Sequence, residues 1–213
     1  MNLPNKITMV RIVLSIILLI FMIFPFDLVG LEFPVFQMFG SVPVDLQYII
    51  AGVIFLVASV TDCVDGNIAR KYNLVTDFGK VMDAIADKVL VNGTLIVLAC
   101  NDLIPDVIPV VIVTRDIFVD SIKMVAGSKG KAVGASVLGK LKTICMMTGM
   151  TLVFFGNIPF ELIPLDVANG LLFVATILSL ISGVQYYLVN KEAFKDKLLN
   201  CVIAVFFIVL TNF

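Results

Sequence analysis

The chain is 213 residues long, 60% hydrophobic and only 15% charged, with a mean hydropathy of +1.09. A soluble domain carries about a quarter charged residues, so this composition belongs to a protein that buries apolar surface against lipid as well as against itself. A formal net charge of −1 excludes a nucleic-acid binder working through a basic face, and the absence of histidine excludes any histidine base, nucleophile or metal ligand.

Six apolar windows approach the roughly 20 residues a membrane-spanning helix needs: 7–24, 46–64, 79–99, 105–125, 141–158 and 168–189. The first follows Lys6 and contains Arg11, a basic start to an apolar run that a signal peptide also has. It lacks a small-residue cleavage site and more apolar sequence follows, so it reads as a permanent helix. The expected fold is all-α, a six-helix polytopic membrane protein forming one domain over residues 1–197. Residues 198–213 are apolar but short for a span, and their role stays open between lying on the membrane, packing peripherally and extending a last helix. Cys63, Cys100, Cys145 and Cys201 are widely spaced, without a C-x-x-C pair, and read as unpaired thiols.

Charge placement predicts the orientation. With six spans, Lys6, Arg11, Arg70, Lys71, Lys80, Lys129, Lys131, Lys191, Lys195 and Lys197 fall on one side or at adjacent helix ends. The opposite connections hold Asp27, Glu32, Asp45, Asp102, Asp106, Glu161 and Asp166, with no Lys or Arg. Basic residues are enriched in cytoplasmic loops, so both termini are expected in the cytoplasm and the protein in the cell membrane.

The acidic residues near the second and third windows are unusual. Asp62 and Asp65 are three apart, Asp83 and Asp87 four apart, so each pair occupies one helix face near the cytoplasmic side. Four carboxylates gathered there would repel one another unless something positive sat among them. Oxygen-only ligands favour a hard cation such as Mg²⁺, Mn²⁺ or Ca²⁺, and four of them suffice for two ions, a geometry suited to phosphoryl chemistry. The plainer alternative makes these aspartates helix caps or partners of Arg70, Lys71, Lys80 and Lys88. A cation or proton pathway would also use buried carboxylates.

The residues between the aspartates favour the first reading. The pattern Asp62-x2-Asp65-Gly66-x2-Ala69-Arg70-x8-Gly79-x3-Asp83-x3-Asp87 resembles the signature of the CDP-alcohol phosphatidyltransferases at every defined position. That resemblance implies that Asp62, Asp65, Asp83 and Asp87 bind two Mg²⁺ or Mn²⁺ ions, with Asp87 also the general base. It implies that Gly66, Ala69, Arg70 and Gly79 line the CDP site. The physics agrees: glycines allow close approach of a diphosphate and of helices, and Arg70 offers a planar donor fork. A homodimer is a further expectation from the resemblance.

Two other stretches bear on the alcohol that accepts the lipid phosphate. The opening "NLPNKITMVR" resembles the start of the glycerol 3-phosphate-using branch of this family, in which a P-N-x-[IL]-T-x-x-R pattern is frequent. Pro4, Asn5, Thr8 and Arg11 match it. By that analogy Asn5 and Thr8 help hold the cytidine end, and Thr8 and Arg11, three apart, share a face. Alternatively Asn5 caps the first helix, while Lys6 and Arg11 set orientation only. Further on, "VTRDIFVDSIK" and "GKLKT" also resemble that branch and supply Arg115, Lys140 and Lys142 as a cradle for the acceptor's phosphate. The plain alternative pairs Arg115 with Asp116 or Asp120 and makes the lysines interfacial anchors. The expected partners are therefore CDP-diacylglycerol, sn-glycerol 3-phosphate and membrane lipid. An acceptor such as inositol phosphate, serine or phosphatidylglycerol would keep the same metal site.

Overall fold

The computed structural model describes residues 2–31, 33–38, 42–72, 76–128, 137–158, 160 and 166–190, with backbone alone at 3, 27, 38, 42, 63–65, 67–70, 77 and 128. Among the described residues there are six α-helices: α1 (Leu3–Ile23), α2 (Leu46–Lys71), α3 (Asp77–Cys100), α4 (Val107–Ser128), α5 (Val137–Phe154) and α6 (Val167–Asn190). Each coincides with one of the six apolar windows. Residues 198–213 and Lys129, Lys131, Lys191, Lys195 and Lys197 lie outside the described residues.

One element departs from the all-α expectation. Strands β1 (Val35–Met38) and β2 (Val42–Asp45) pair antiparallel, with Val35 opposite Asp45 and Phe36 opposite Val44. Pro34 and Pro43 disfavour helix there, while Val35, Phe36, Val42 and Val44 suit a pleated surface. A 3₁₀ turn, Phe26–Val29, joins α1 to this hairpin, and the Phe26 ring makes edge contacts with Phe21, Phe24 and Phe33 at centroid distances of 4.8–5.3 Å.

The chain forms two compact units, Met1–Ile104 with Met150–Ala168, and Pro105–Gly149 with Asn169–Phe213. In the first, α1 packs against both α2 and α3. The polarity of α1 is inside out. Asn5, Thr8, Arg11, Ser15, Leu18 and Met22 recur every three or four residues and are buried, while Val10, Val13, Ile17 and Ile20 face outward. A helix that turns its polar face to the protein and its apolar face outward is one whose outer surroundings are hydrocarbon. Small residues permit the close packing: a Cβ on Gly52 would meet Phe154 Cβ at 2.8 Å, and one on Gly93 would meet Leu19 Cδ1 at 2.7 Å.

Helix ends in this unit close by local chemistry. Asp102, in left-handed conformation at φ 56°, lets its own N–H reach Ala99 O and the Leu103 N–H reach Leu98 O, satisfying the last carbonyls of α3. Gly156, at φ 64°, does the same at the end of α5, where the Asn157 N–H reaches Leu152 O at 2.7 Å. The Asn157 side chain then accepts from the Ala168 N–H at the start of α6.

In the second unit, Ile122 of α4 packs against Phe118, Val125, Val184 and Tyr187. Here α6 repeats the pattern of α1: Thr176, Ser179, Ser182 and Tyr186 are buried, and Phe173, Ile177, Ile181 and Leu188 are exposed. By length and apolarity, α1 (from Pro4), α5 and α6 are each sufficient to cross a membrane, and the apolar part of α2, Leu46–Asp62, is shorter. The remaining helices are long enough but carry more charge: Lys80, Asp83, Asp87 and Lys88 on α3, and Arg115, Asp116, Asp120 and Lys123 on α4.

Candidate active site

The polar half of the buried α1 face is its N-terminal half, and the acidic pattern meets it there. Arg11 is fully buried, and its Nη1 donates to Asp62 Oδ1 of α2 at 2.5 Å and to Asp83 Oδ1 of α3 at 3.0 Å. One guanidinium nitrogen thus ties together carboxylates from two helices. The two oxygens can be no farther apart than those two bonds laid end to end. The carboxylates themselves stay open, with side chains 42% and 54% exposed. Such pairs are charge-assisted.

Asp87, one turn beyond Asp83 on α3, is exposed. Asp65, Ala69 and Arg70 lie on the backbone of α2, but their side chains are outside the described residues. Gly66 is partly buried on the same helix. Among the described residues no three acidic or cysteine side chains gather closely enough to enclose an ion. The donor chemistry nonetheless fits a hard divalent cation. Asp62 and Asp83 offer oxygen donors brought together from two helices with one face open, and Asp65 follows Asp62 by one turn.

Beside this pair, Asn5 ties α1 to the start of α3. Its Nδ2 donates to Thr76 Oγ1 at 3.1 Å, and Thr76, the N-cap of α3, accepts from the Gly79 N–H at 3.0 Å. A Cβ on Gly79 would lie 2.6 Å from Asn5 Oδ1, so glycine is the residue that leaves Asn5 its place. The N-cap of α1 is Asn2, so Asn5 does not cap its own helix. Thr8 is buried one turn on and donates to Pro4 O at 3.1 Å.

The second unit holds its own polar centre. Buried Arg115 donates from Nε to Ser179 O at 2.8 Å, from Nη1 to Asp116 at 2.8 Å and from Nη2 to Ser182 Oγ at 2.6 Å. Buried Lys142 of α5 donates to both oxygens of Asp116, at 2.6 and 2.9 Å. Arg115 and Lys142 are therefore assembled around one carboxylate, whereas Lys140 is exposed. Two cations on one anion leave a net positive charge. The Tyr186 ring lies 5.9 Å from Arg115 and 5.3 Å from Lys123. Among the described residues, the buried Ser179 hydroxyl has no hydrogen-bond partner.

Four participants escape sequence reasoning in their full role: Arg11, Thr76, Ser179 and Ser182. Arg11 was legible as sharing a face with Thr8, and an arginine inside an apolar helix is a signal in itself. Thr76 precedes α3 as a helix cap would. The serines of α6 are three apart, but hydroxyls in apolar helices often bond only their own backbone, so spacing alone does not single them out.

Fold and site together define a helical, membrane-embedded protein with a carboxylate pair gathered by a buried arginine. The chain belongs to the CDP-alcohol phosphatidyltransferase family, whose pattern matches residues 1–181, and it is an enzyme, a transferase of phospholipid biosynthesis. It is 40% identical to a CDP-diacylglycerol–glycerol-3-phosphate 3-phosphatidyltransferase of Bacillus subtilis (strain 168), over 92% of this chain and 98% of that one. Relatives bearing the same name in Rickettsia bellii and Mycoplasma pneumoniae are 33% and 35% identical, covering 91% and 88% of this chain and 97% and 80% of theirs.

Proposed function

We propose that the protein transfers the phosphatidyl group of CDP-diacylglycerol to sn-glycerol 3-phosphate, releasing CMP and phosphatidylglycerophosphate. The observation that carries this reading is the meeting of Asp62 and Asp83, the first aspartates of the family signature's two acidic pairs, on one buried guanidinium. The names of the relatives supply donor and acceptor.

On this reading Asp62, Asp65, Asp83 and Asp87 would hold two Mg²⁺ or Mn²⁺ ions, which when bound neutralise the donor's diphosphate and the charge left on CMP. Gly66, Ala69, Arg70 and Gly79 line the nucleotide site, with Asn5 and Thr8 at its cytidine end. Asp87 takes the proton from the acceptor's hydroxyl as that oxygen attacks the phosphorus bearing the lipid. Its exposure on α3 leaves it accessible to a substrate hydroxyl. A carboxylate among cations is a weak base, so orientation of the acceptor supplies much of the rate. Arg115, Lys140 and Lys142 bind the acceptor's phosphate, which the net positive charge around Asp116 favours.

We further take all six helices as spans, with both termini and the active site on the cytoplasmic side of the cell membrane, and the protein as a homodimer. The lipid tails of the donor then stay in the bilayer while its nucleotide reaches water. Residues 1–197 form the catalytic domain.

The test is CMP release by purified protein with CDP-diacylglycerol and Mg²⁺ across a panel of acceptors. Release with glycerol 3-phosphate alone, abolished by EDTA, is the expected result. Release with inositol phosphate, serine or phosphatidylglycerol instead would keep the acidic site and remove the acceptor assignment of Arg115, Lys140 and Lys142. No release with any acceptor from folded protein would overturn the reaction.

A further inference from the structure

We propose that Arg11 is a resident counter-charge of the acidic site: it stabilises the protein when no divalent cation is bound and opposes the binding of one. The inference rests on the metal-site reading above and goes beyond it by giving Arg11 a thermodynamic role there.

The geometry points to this in three ways. Arg11 Nη1 contacts Oδ1 of both Asp62 and Asp83, so it takes up oxygen atoms that a cation joining these carboxylates would share. Its charge offsets only part of theirs, since one guanidinium against two carboxylates leaves the trio net negative and still attractive to a cation. Finally, Arg11 is fully buried on a helix packed against both α2 and α3, while the carboxylates are 42% and 54% exposed. The arginine cannot simply retreat into water when a cation arrives on the open side. A cation there meets a fixed positive charge behind its ligands.

Linkage then dictates the consequence. A charge that lowers the free energy of the cation-free site more than that of the loaded site must weaken cation binding by the same factor. It also keeps the two carboxylates from repelling one another while the site is empty of cations. A residue that served only to position the aspartates would act in the opposite sense, because its loss would weaken cation binding.

The experiment uses the full-length protein in detergent micelles with Mn²⁺ as the probe, read by thermal unfolding and by electron paramagnetic resonance of free Mn²⁺. Arg11→Gln is expected to unfold at lower temperature in chelator and to gain more from Mn²⁺ than the wild type does. Its Mn²⁺ dissociation constant should fall about tenfold, the scale of one unit charge acting on a divalent ion a few ångströms away at high effective dielectric. Arg11→Lys, keeping the charge, should bind Mn²⁺ much as the wild type does. Weaker Mn²⁺ binding by Arg11→Gln, or an equal loss of stability with and without Mn²⁺, overturns the proposal and leaves Arg11 a positioning residue. If Arg11→Gln does not fold in either condition, Arg11→Lys decides. Mn²⁺ binding at least as tight as in the wild type supports the proposal, since the charge is kept while the guanidinium's positioning contacts are lost, and weakened Mn²⁺ binding overturns it. A wild type that binds no Mn²⁺ would sink the metal-site reading and this inference together, whereas tight wild-type binding that Arg11→Gln weakens sinks only the latter.

Discussion

Replacing Gly79 by alanine places a methyl carbon 2.6 Å from Asn5 Oδ1 and 3.0 Å from Thr76 Oγ1. Neither neighbour moves independently of the other. Thr76 is held by the Gly79 N–H and by the Asn5 amide, and Asn5 is buried between helices. The cheapest relief is rotation of Asn5, which forfeits its bond to Thr76, worth about 1 kcal/mol. Crowding of this kind costs typically about 1–3 kcal/mol. Against this, alanine regains at most about 1 kcal/mol of helix preference over glycine, and less in a first turn. The net expectation for Gly79→Ala is a loss of about 1–2 kcal/mol.

A double-mutant cycle in detergent isolates the contact. Asn5→Ala removes the oxygen with which the new methyl collides. In that background Gly79→Ala should cost less than about 0.5 kcal/mol, or even stabilise, by the propensity difference just given. An equal loss in both backgrounds would refute the view that Gly79 is glycine to accommodate Asn5. It would point instead to a requirement for the bare backbone itself.

Other predictions follow from the two polar centres and the packing glycines. Asp116→Ala strips the shared carboxylate from buried Arg115 and Lys142 and should cost about 3–5 kcal/mol, with part recovered in Asp116→Ala/Lys142→Met. Equal thermal unfolding of the single and double variants would contradict that account. Gly52→Ala should destabilise more than Gly93→Ala, although the closest contacts are similar, at 2.8 and 2.7 Å. The first meets Phe154 Cβ, fixed to the backbone, and the second the free end of Leu19, which can rotate aside; denaturant titration giving the reverse order would refute this. Asp87→Asn should eliminate CMP release while the protein still folds, since the amide keeps the size and polarity of the carboxylate at an exposed position. Substantial turnover in folded Asp87→Asn would remove Asp87 as the base.

The helices were legible because an apolar run of about twenty residues has few other uses. Each of the six windows contains the body of one helix, with α2 running past its window to Lys71 and α5 beginning earlier, at Val137. The α2 extension is polar, and in α5 Gly139 and Lys140 interrupt the apolar run, so hydropathy alone stops short of both. The hairpin at 35–45 was not legible, because four-residue strands yield too short an alternation to stand out beside long apolar runs. Within the site, the spacing of Asp62 with Asp65 and of Asp83 with Asp87 identified their helix faces, but not the arginine that Asp62 and Asp83 meet. Arg11 lies 51 positions before Asp62 in the chain, and only the packing of α1 on α2 and α3 brings them together. Arg115 was read with both a phosphate and Asp116 as possible partners, and the structure shows the Asp116 pair.

The helices that fall short in apolarity are the ones that hold Asp62, Asp83, Arg115 and Asp116. The tally of charges overstates how polar they are, because many of those charges meet partners inside the protein. Asp62 and Asp83 share Arg11 in one unit, and Arg115 and Lys142 share Asp116 in the other. A charge paired and hydrogen-bonded within a bundle costs far less in a membrane than the same charge facing lipid. The residual charge differs between the centres, negative around Arg11 and positive around Asp116. Counting only these groups, the excess has the sign that the proposed ligands would meet, a divalent cation at the first and a phosphate at the second.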